Sequence, residues 1–374
     1  MKRELGEYSM KKIASMFVLL LILSSALFSL SEIGTVRASG TIYIRADGTV
    51  EGTDKIHRQG NVYTFLGNIS IDGSGVDGII VERDNIVVDG AGYTLQGTGS
   101  GKGIDLSDRN TVTIQNVEIK EFNDGIWLFE AANNTLIGNT IAANNQWGIR
   151  LAGSSNNTVS GNNITNNDYG GIVVMDSDNN IISGNTITDN FRGLDLTASE
   201  NNTVSGNHIA NNIGGIALEN MYNSIVENTI TNNSNFGIHL YGAGYNNIIG
   251  NNITNNGRGI LVSICYNNSI YHNNFVNNTN HVETDDSNGI WDNGVEGNYW
   301  SNYNGTDNDG DGIGDTPYVI AESNQDNFPL MNQWYTLTGQ SEHFPITWIV
   351  ATIAIVVVVG AAVLVYFVKV KKTK

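Results

Sequence analysis

The sequence has one cysteine, Cys265, and three prolines, none of them before Pro317. A single cysteine excludes an intramolecular disulfide, so stability must come from packing, hydrogen bonding or metal. The long stretch without proline suits a chain whose strands all donate to neighbours, because proline lacks the N–H that a sheet ladder needs. Basic residues are scarce as well. Outside the two chain ends, 10 Lys or Arg stand against 34 Asp or Glu, a balance of −24. Such a surface repels phosphate backbones, which argues against nucleic acid as a partner and favours cations or neutral polymers. Long apolar runs are confined to the two ends, and they differ in kind.

At the N-terminus, Lys2, Arg3, Lys11 and Lys12 precede an apolar run from Ile13 to Leu30, and Val36-Arg37-Ala38 places small residues at cleavage offsets. This pattern predicts a signal peptide over residues 1–38, cut after Ala38. At the C-terminus, Ile346 to Val368 carries no charge. At about 1.5 Å per residue it is long enough to cross a hydrocarbon core of about 30 Å. Trp348, Tyr366 and Phe367 suit the interfaces, and Lys369, Lys371, Lys372 and Lys374 follow. The positive-inside rule then predicts a transmembrane helix over 346–368 with residues 369–374 in the cytoplasm. The expected protein is single-pass, with its ectodomain outside the cell.

Between these ends the sequence repeats, most regularly over residues 110–285, in the frame N-N-x-[VIL]-x-G-N-x-I-x-x-N-x-x-G-I-x-L. Taking Asn116, Asn139, Asn162, Asn185, Asn207, Asn228, Asn251 and Asn273 as reference, the spacings are 23, 23, 23, 22, 21, 23 and 22. Apolar residues fall in three short alternating clusters per unit, separated by Gly and Asn, which is a strand signal rather than a helical one. One unit therefore makes one triangular coil, and successive coils stack about 4.8 Å apart in parallel pairing. The predicted fold is all-β: a right-handed, single-stranded parallel β-helix, with a tail and the transmembrane helix beyond it.

Asn recurs four or five residues before the reference, from Asn134 through Asn247 to Asn268, and five after, from Asn144 to Asn278. Its amide donates to and accepts from the same residue in adjacent coils, which predicts structural Asn ladders in the turns. Residues 39–109 fit the architecture less regularly and read as an N-terminal cap with the first coils. Residues 286–335 read as a C-terminal capping tail and 336–345 as a linker.

The tail contains Gly297-Asn298-Tyr299-Trp300-Ser301-Asn302-Tyr303 and then D-N-D-G-D-G-I-G-D-T-P-Y. From Thr41 to Met331 the chain resembles the NosD-like and carbohydrate-binding/sugar-hydrolase β-helix family, and the tail resembles the end of archaeal surface proteins of that type. The family name implies copper handling in a periplasm. Copper favours Cys, Met and His together, whereas outside the signal region the chain has Met175, Met221, Met331, Cys265 and six scattered His. The Asp-rich loop suits a harder ion. Asp307, Asp309 and Asp311, then Ile313 by its carbonyl and Asp315, reproduce the spacing of a calcium loop, although Tyr318 stands where an EF-hand has its last Glu.

Chemistry on such a solenoid must use outward side chains. In the G-I-x-L strand one outward column reads Asp105, Trp127, Arg150, Val173, Asp195, Ala217, His239 and Leu261. The next reads Ser107, Phe129, Ala152, Met175, Thr197, Glu219, Tyr241 and Ser263. Aromatic rings and charged groups at a fixed rise suit an extended polysaccharide, so Trp127, Phe129, Arg150, Asp195, Glu219, His239 and Tyr241 are the candidate carbohydrate-binding residues. Asp195 and Glu219 lie one coil apart and two residues offset, about 8 Å, within the range of an inverting glycosidase pair, and are the catalytic candidates. The expected function is a surface-displayed glycan-binding or adhesion module. A polysaccharide-cleaving enzyme, a structural envelope protein and a NosD-like copper handler are the alternatives.

Overall fold

The computed structural model describes residues 36–38, 40–321 and 324–335. Most of the expected signal peptide and all of the linker, the transmembrane segment and the cytoplasmic tail lie outside these residues. Among the described residues no helix is long and apolar enough to cross a membrane.

The repeat folds as its period requires. Three twelve-stranded sheets run the length of the protein, and each takes every third strand in chain order. Pairing between consecutive coils is parallel throughout the regular region. Two sheets are built from short strands, mostly of three residues, such as Thr140–Ala142 and Thr158–Ser160. The third is built largely from six-residue strands: Asp124–Phe129, Trp147–Ala152, Gly170–Met175, Arg192–Thr197, Gly214–Glu219, Phe236–Tyr241, Arg258–Ser263 and Asn280–Asp285.

Inside, like stacks on like. Ile126, Ile149, Ile172, Leu194, Ile216, Ile238 and Ile260 pair in register from coil to coil and are wholly buried. Each such side chain contributes about 1.5–3 kcal/mol of burial.

The Asn columns form the expected ladders. In the central one, the Asn139 N–H donates to Asn162 Oδ1, Asn162 to Asn185, Asn185 to Asn207 and Asn207 to Asn228, each at 2.9 Å. The side-chain amide donates to the same oxygen and also back to a carbonyl, as Asn185 Nδ2 does to Val159 O at 2.9 Å. The residue before each ladder Asn has a left-handed backbone, which is why Gly138, Gly161, Gly184, Gly206 and Gly250 recur there. Two columns need correcting. Asn116 pairs with the Gly138 column and is exposed, so the ladder begins at Asn139, whose Oδ1 accepts from the Val117 N–H. Asn246, not Asn247, continues the outer ladder between Asn223 and Asn268, since Asn246 is the residue five before Asn251. Cys265 is buried in a fourth column that also holds Ala131, Ser154, Ser177, Ser199, Ala243 and Ser287, and its sulfur accepts from the Ala243 N–H at 3.3 Å.

Both ends are closed. At the start, antiparallel hairpins pair Ile42–Ile44 with Val50–Glu51 and Ile56–Gln59 with Val62–Phe65. Val36–Ala38 pairs with Ile69–Ile71, so a cut after Ala38 would remove one strand from this end. At the far end Trp300 lies between Phe275 and Tyr318, stacked on each at a centroid distance of 4.3 Å. Buried Asp326 accepts from Asn298 N at 2.7 Å and Trp300 Nε1 at 2.8 Å. Such termination covers strand edges that would otherwise recruit other chains.

Candidate functional site

The long strands hold their outward residues in register. Asp105 pairs with Trp127, Trp127 with Arg150, Arg150 with Val173, Val173 with Asp195, Asp195 with Ala217, Ala217 with His239 and His239 with Leu261. Beside this column, Phe129, Ala152, Met175, Thr197 and Glu219 follow one another. Both columns stand where the repeat predicts them.

A third outward column was not anticipated. It comprises the residues directly before the repeat glycine: Lys102, Asp124, Trp147, Gly170, Arg192, Gly214, Phe236 and Arg258. Alternation places this residue inside, but the following glycine turns inward itself and displaces it. A Cβ at Gly148 would meet the Ile164 side chain at 2.7 Å. Gly170 and Gly214 make room for rings, since a Cβ there would strike Trp147 at 2.2 Å and Phe236 at 2.4 Å.

Two clusters result. In the first, Lys102 Nζ bonds Asp105 Oδ2 at 2.6 Å and lies 5.0 Å from the Trp127 ring, while the Arg150 guanidinium lies 4.6 Å from that ring. Trp127 is therefore flanked by two cations, and Phe129, 6.4 Å away and stacked on it, offers the open aromatic surface. Asp124 is buried beneath them, and desolvation raises its carboxyl above the ordinary range despite Arg150 nearby and the Trp147 N–H. Arg150 Nε is buried without a hydrogen-bond partner among the described residues. Asp77, Lys102, Asn123, Asp124, Trp127 and Arg150 line a cavity of about 340 Å³.

In the second cluster, buried Asp195 accepts from Arg192 Nη1 and from Thr197 Oγ1 at 3.0 Å. Ala217 leaves a shallow gap between Asp195 and His239. Burial first, then Arg192 and Arg258, hold the His239 imidazole below its ordinary value against the pull of Asp195, so it is neutral at neutral pH. Phe236 and Tyr241 flank it at 5.3 and 6.2 Å. Arg258 is tied to Glu283 at 2.5 Å and Asn235 at 2.6 Å. Glu219 lies opposite Thr197, one coil from Asp195 in strand register. Ala152, Val173 and Met175 separate the two clusters with an apolar strip.

Two other places carry chemistry. Carboxylate oxygens of Asp307, Asp309 and Asp311 lie within 4.8 Å of one another. Asp315 stands apart from them, accepting from Asn308 N at 2.9 Å and Thr306 Oγ1 at 3.3 Å. These are oxygen ligands for a hard cation, and they do not suit copper. At the solenoid's end, His281 Nε2 lies 3.2 Å from Ser301 Oγ, which resembles a nucleophile and its base. The tautomer is the wrong one. Asn278 Nδ2 donates towards His281 Nδ1, and the ladder fixes that amide because its Oδ1 accepts from Asn256. Nε2 then carries the proton and donates to the serine, so it has no capacity to accept the hydroxyl proton.

The family described as "Periplasmic copper-binding protein (NosD)" matches residues 160–305, and that described as "Right handed beta helix region" matches residues 54–220. No curated protein sequence matches the chain. Among solved structures, the A-module of a mannuronan C-5 epimerase from Azotobacter vinelandii is similar at 16% identity, over 70% of this chain and 92% of that one, with a TM-score of 0.49. A periplasmic alginate epimerase is similar at 16% identity over 66% and 83%, with a TM-score of 0.47. A DFA-IIIase from Arthrobacter chlorophenolicus A6, without its lid, is similar at 16% identity over 57% and 65%, with a TM-score of 0.43. These likenesses concern the winding of the chain alone.

Proposed function

We propose that this chain, a member of the NosD-like right-handed β-helix repeat family, displays the outward face of its long-strand sheet as a glycan-binding surface at the cell envelope, tethered by Ile346–Val368. One observation carries the reading. Arg150, Arg192 and Arg258 are the only Lys or Arg between Lys120 and Lys369, and all three stand on this one face. The other faces of the coils after Lys120 carry neither Lys nor Arg. Here guanidinium–carboxylate pairs and aromatic rings alternate at the coil rise of about 4.8 Å, which offers donors, acceptors and apolar area to successive sugars.

A glycan panel probed with the full chain in mild detergent tests this. Tyr241→Ala and Trp127→Ala are each expected to weaken any glycan bound by about tenfold, equivalent to one lost aromatic contact. Unchanged affinity in both, with an intact far-UV spectrum, would overturn the reading.

A second reading has its own observation in the neutral imidazole of His239, set between Arg192 and Arg258 with Tyr241 beside it. That set suits proton transfer on a sugar whose carboxylate is held by arginine. Release of reducing ends or unsaturated uronates, abolished by His239→Ala, would establish polysaccharide cleavage over binding.

Calcium is the ion proposed for Asp307, Asp309 and Asp311, with the Ile313 carbonyl beside them; Asp315, held by Asn308 and Thr306, braces the loop instead. The loop is sewn to the strap that closes the solenoid, through Gly314 N to Pro329 O at 2.8 Å and Met331 N to Gly312 O at 3.0 Å. Chelation is therefore expected to lower the melting temperature and open residues 299–335 to protease before the coils. Asp309→Ala should melt the same with and without calcium, and a wild-type chain indifferent to chelator would end the proposal.

A further inference from the structure

Left-handed backbone recurs at the corner where the chain leaves the long-strand sheet. At one position of that corner most coils place Asn133, Asn156, Asn179, Asn201 or Asn267, and at another Glu130, Gly153, Asp176, Ala198 or Gly242. Small and amide side chains tolerate this geometry, whereas bulky or β-branched ones rarely adopt it. Three consecutive coils break the pattern. They place Tyr222 at φ 61°, Tyr245 at φ 55° and Ile264 at φ 56°.

All three side chains are exposed, at 52%, 45% and 53%, and Tyr266 joins them. Tyr222 and Tyr245 stack at 5.6 Å, and Tyr245 meets Tyr266 edge-on at 5.6 Å. The Tyr266 hydroxyl reaches Met221 Sδ at 3.8 Å. Beside the row, Ile264, Tyr266, Thr284, Asp286, Ser287 and Asn288 line a groove of about 540 Å³. Local strain and exposed aromatic area together destabilise the fold without a packing return, and strained residues of this kind cluster at binding sites.

We infer that this corner is a second sugar-binding subsite, which takes the ring faces of an uncharged hexopyranose chain. The inference rests on the glycan-binding reading of the adjacent face and specifies its ligand. Phenol rings pair flat apolar area with a hydroxyl, which suits the apolar face and ring hydroxyls of a pyranose, and Thr284, Ser287 and Asn288 add neutral hydrogen-bonding groups beside them. Asp286 is the charged residue of the groove, and neither Lys nor Arg lines it, so a uronate polymer is repelled there. Tyr241 lies on the coil that carries Tyr245 and links the corner to the His239 cluster.

The test is calorimetric titration of the full chain in mild detergent with mannohexaose, cellohexaose and hexagalacturonate. The wild type is expected to bind a neutral hexaose. Tyr222→Asn with Tyr245→Asn, which restores the residue type of the other coils, should weaken it about tenfold without lowering the melting temperature. Tyr266→Ser, at a position without left-handed strain, should weaken it as well, while Tyr222→Phe with Tyr245→Phe should stay within about threefold. Unchanged binding in both the Asn pair and Tyr266→Ser overturns the corner but leaves the face, which Trp127→Ala and Tyr241→Ala then report. Preference for hexagalacturonate overturns the uncharged ligand. Binding of none of the three overturns the corner, and an empty glycan panel overturns the face with it.

Discussion

Asn185→Leu is expected to unfold the solenoid from its middle. The Asn185 side chain accepts from both Asn162 N and Asn162 Nδ2 at 2.9 Å, and donates to Val159 O and Asn207 Oδ1 at 2.9 Å. Leucine fills much the same volume and answers none of these groups. Two donors and a carbonyl are then left buried without partners, at about 1–3 kcal/mol each, or roughly 3–9 kcal/mol in all. That range spans much of the stability of an ordinary domain, about 5–15 kcal/mol. Exposed Asn163, one residue after the ladder position Asn162, is the control, and Asn163→Leu should change the denaturation midpoint little. A midpoint for Asn185→Leu equal to that of Asn163→Leu would mean that the ladder is ornamental and that apolar stacking alone sets the fold.

Trp300→Ala is expected to have the next largest effect, and a different signature. The indole fills the mouth of the last coil between Phe275 and Tyr318 and bonds Asp326 through Nε1. Truncation removes both stacking contacts and leaves a cavity, at about 3–5 kcal/mol. Because coils touch only their neighbours, the damage should be local: amide exchange should rise from residues 270–335 and fade towards Asn185. Uniform acceleration over the whole solenoid would contradict that. The cap also sets a pH response, since burial raises Asp326 from 3.8 to about 6 despite its donors. The folded state then holds this proton more tightly than the unfolded one. Its contribution is full below about pH 4 and is lost as pH rises through about 6. Asp326→Asn should remove that slope from the melting curve.

The fold was legible because the period is written in residues whose reason is geometric. Ile stacks, left-handed glycines and ladder amides must all recur once per coil, so their spacing reads directly as a coil. Errors arose where polar residues adjoin a ladder. The first regular coil is one residue short, so Asn116 falls beside the ladder position held by Val117, whereas Asn247 is an Asn next to the true rung Asn246, which lies five before Asn251. The site was harder. Trp127 and Phe129 were found by alternation, yet the Lys102-to-Arg258 column was not, because an inward glycine reverses alternation locally. Its signal was present all the same, in the residue before each repeat glycine. That Asp124 is buried, or that Lys102 and Arg150 cover Trp127, depends on rotamers that no spacing encodes. The tyrosine corner was hidden differently: Tyr222 and Tyr245 look ordinary until their backbone angles are known.

The central ladder also has a sense. Every amide in it gives one hydrogen to the Asn of the next coil, returns the other to a carbonyl of the preceding coil, and turns its oxygen towards the N-terminal end, from Asn139 through Asn273 to Asn298. The small dipoles add head to tail instead of cancelling, and each polarises the next. At the last rung the Asn298 amide N–H meets the Asp326 carboxylate, an anion set against the positive pole. The solenoid is thus electrically polar along its axis, with a built-in terminating charge. Whole coils could be added or lost between the poles without disturbing either, whereas reversing or exchanging the ends would place like against like.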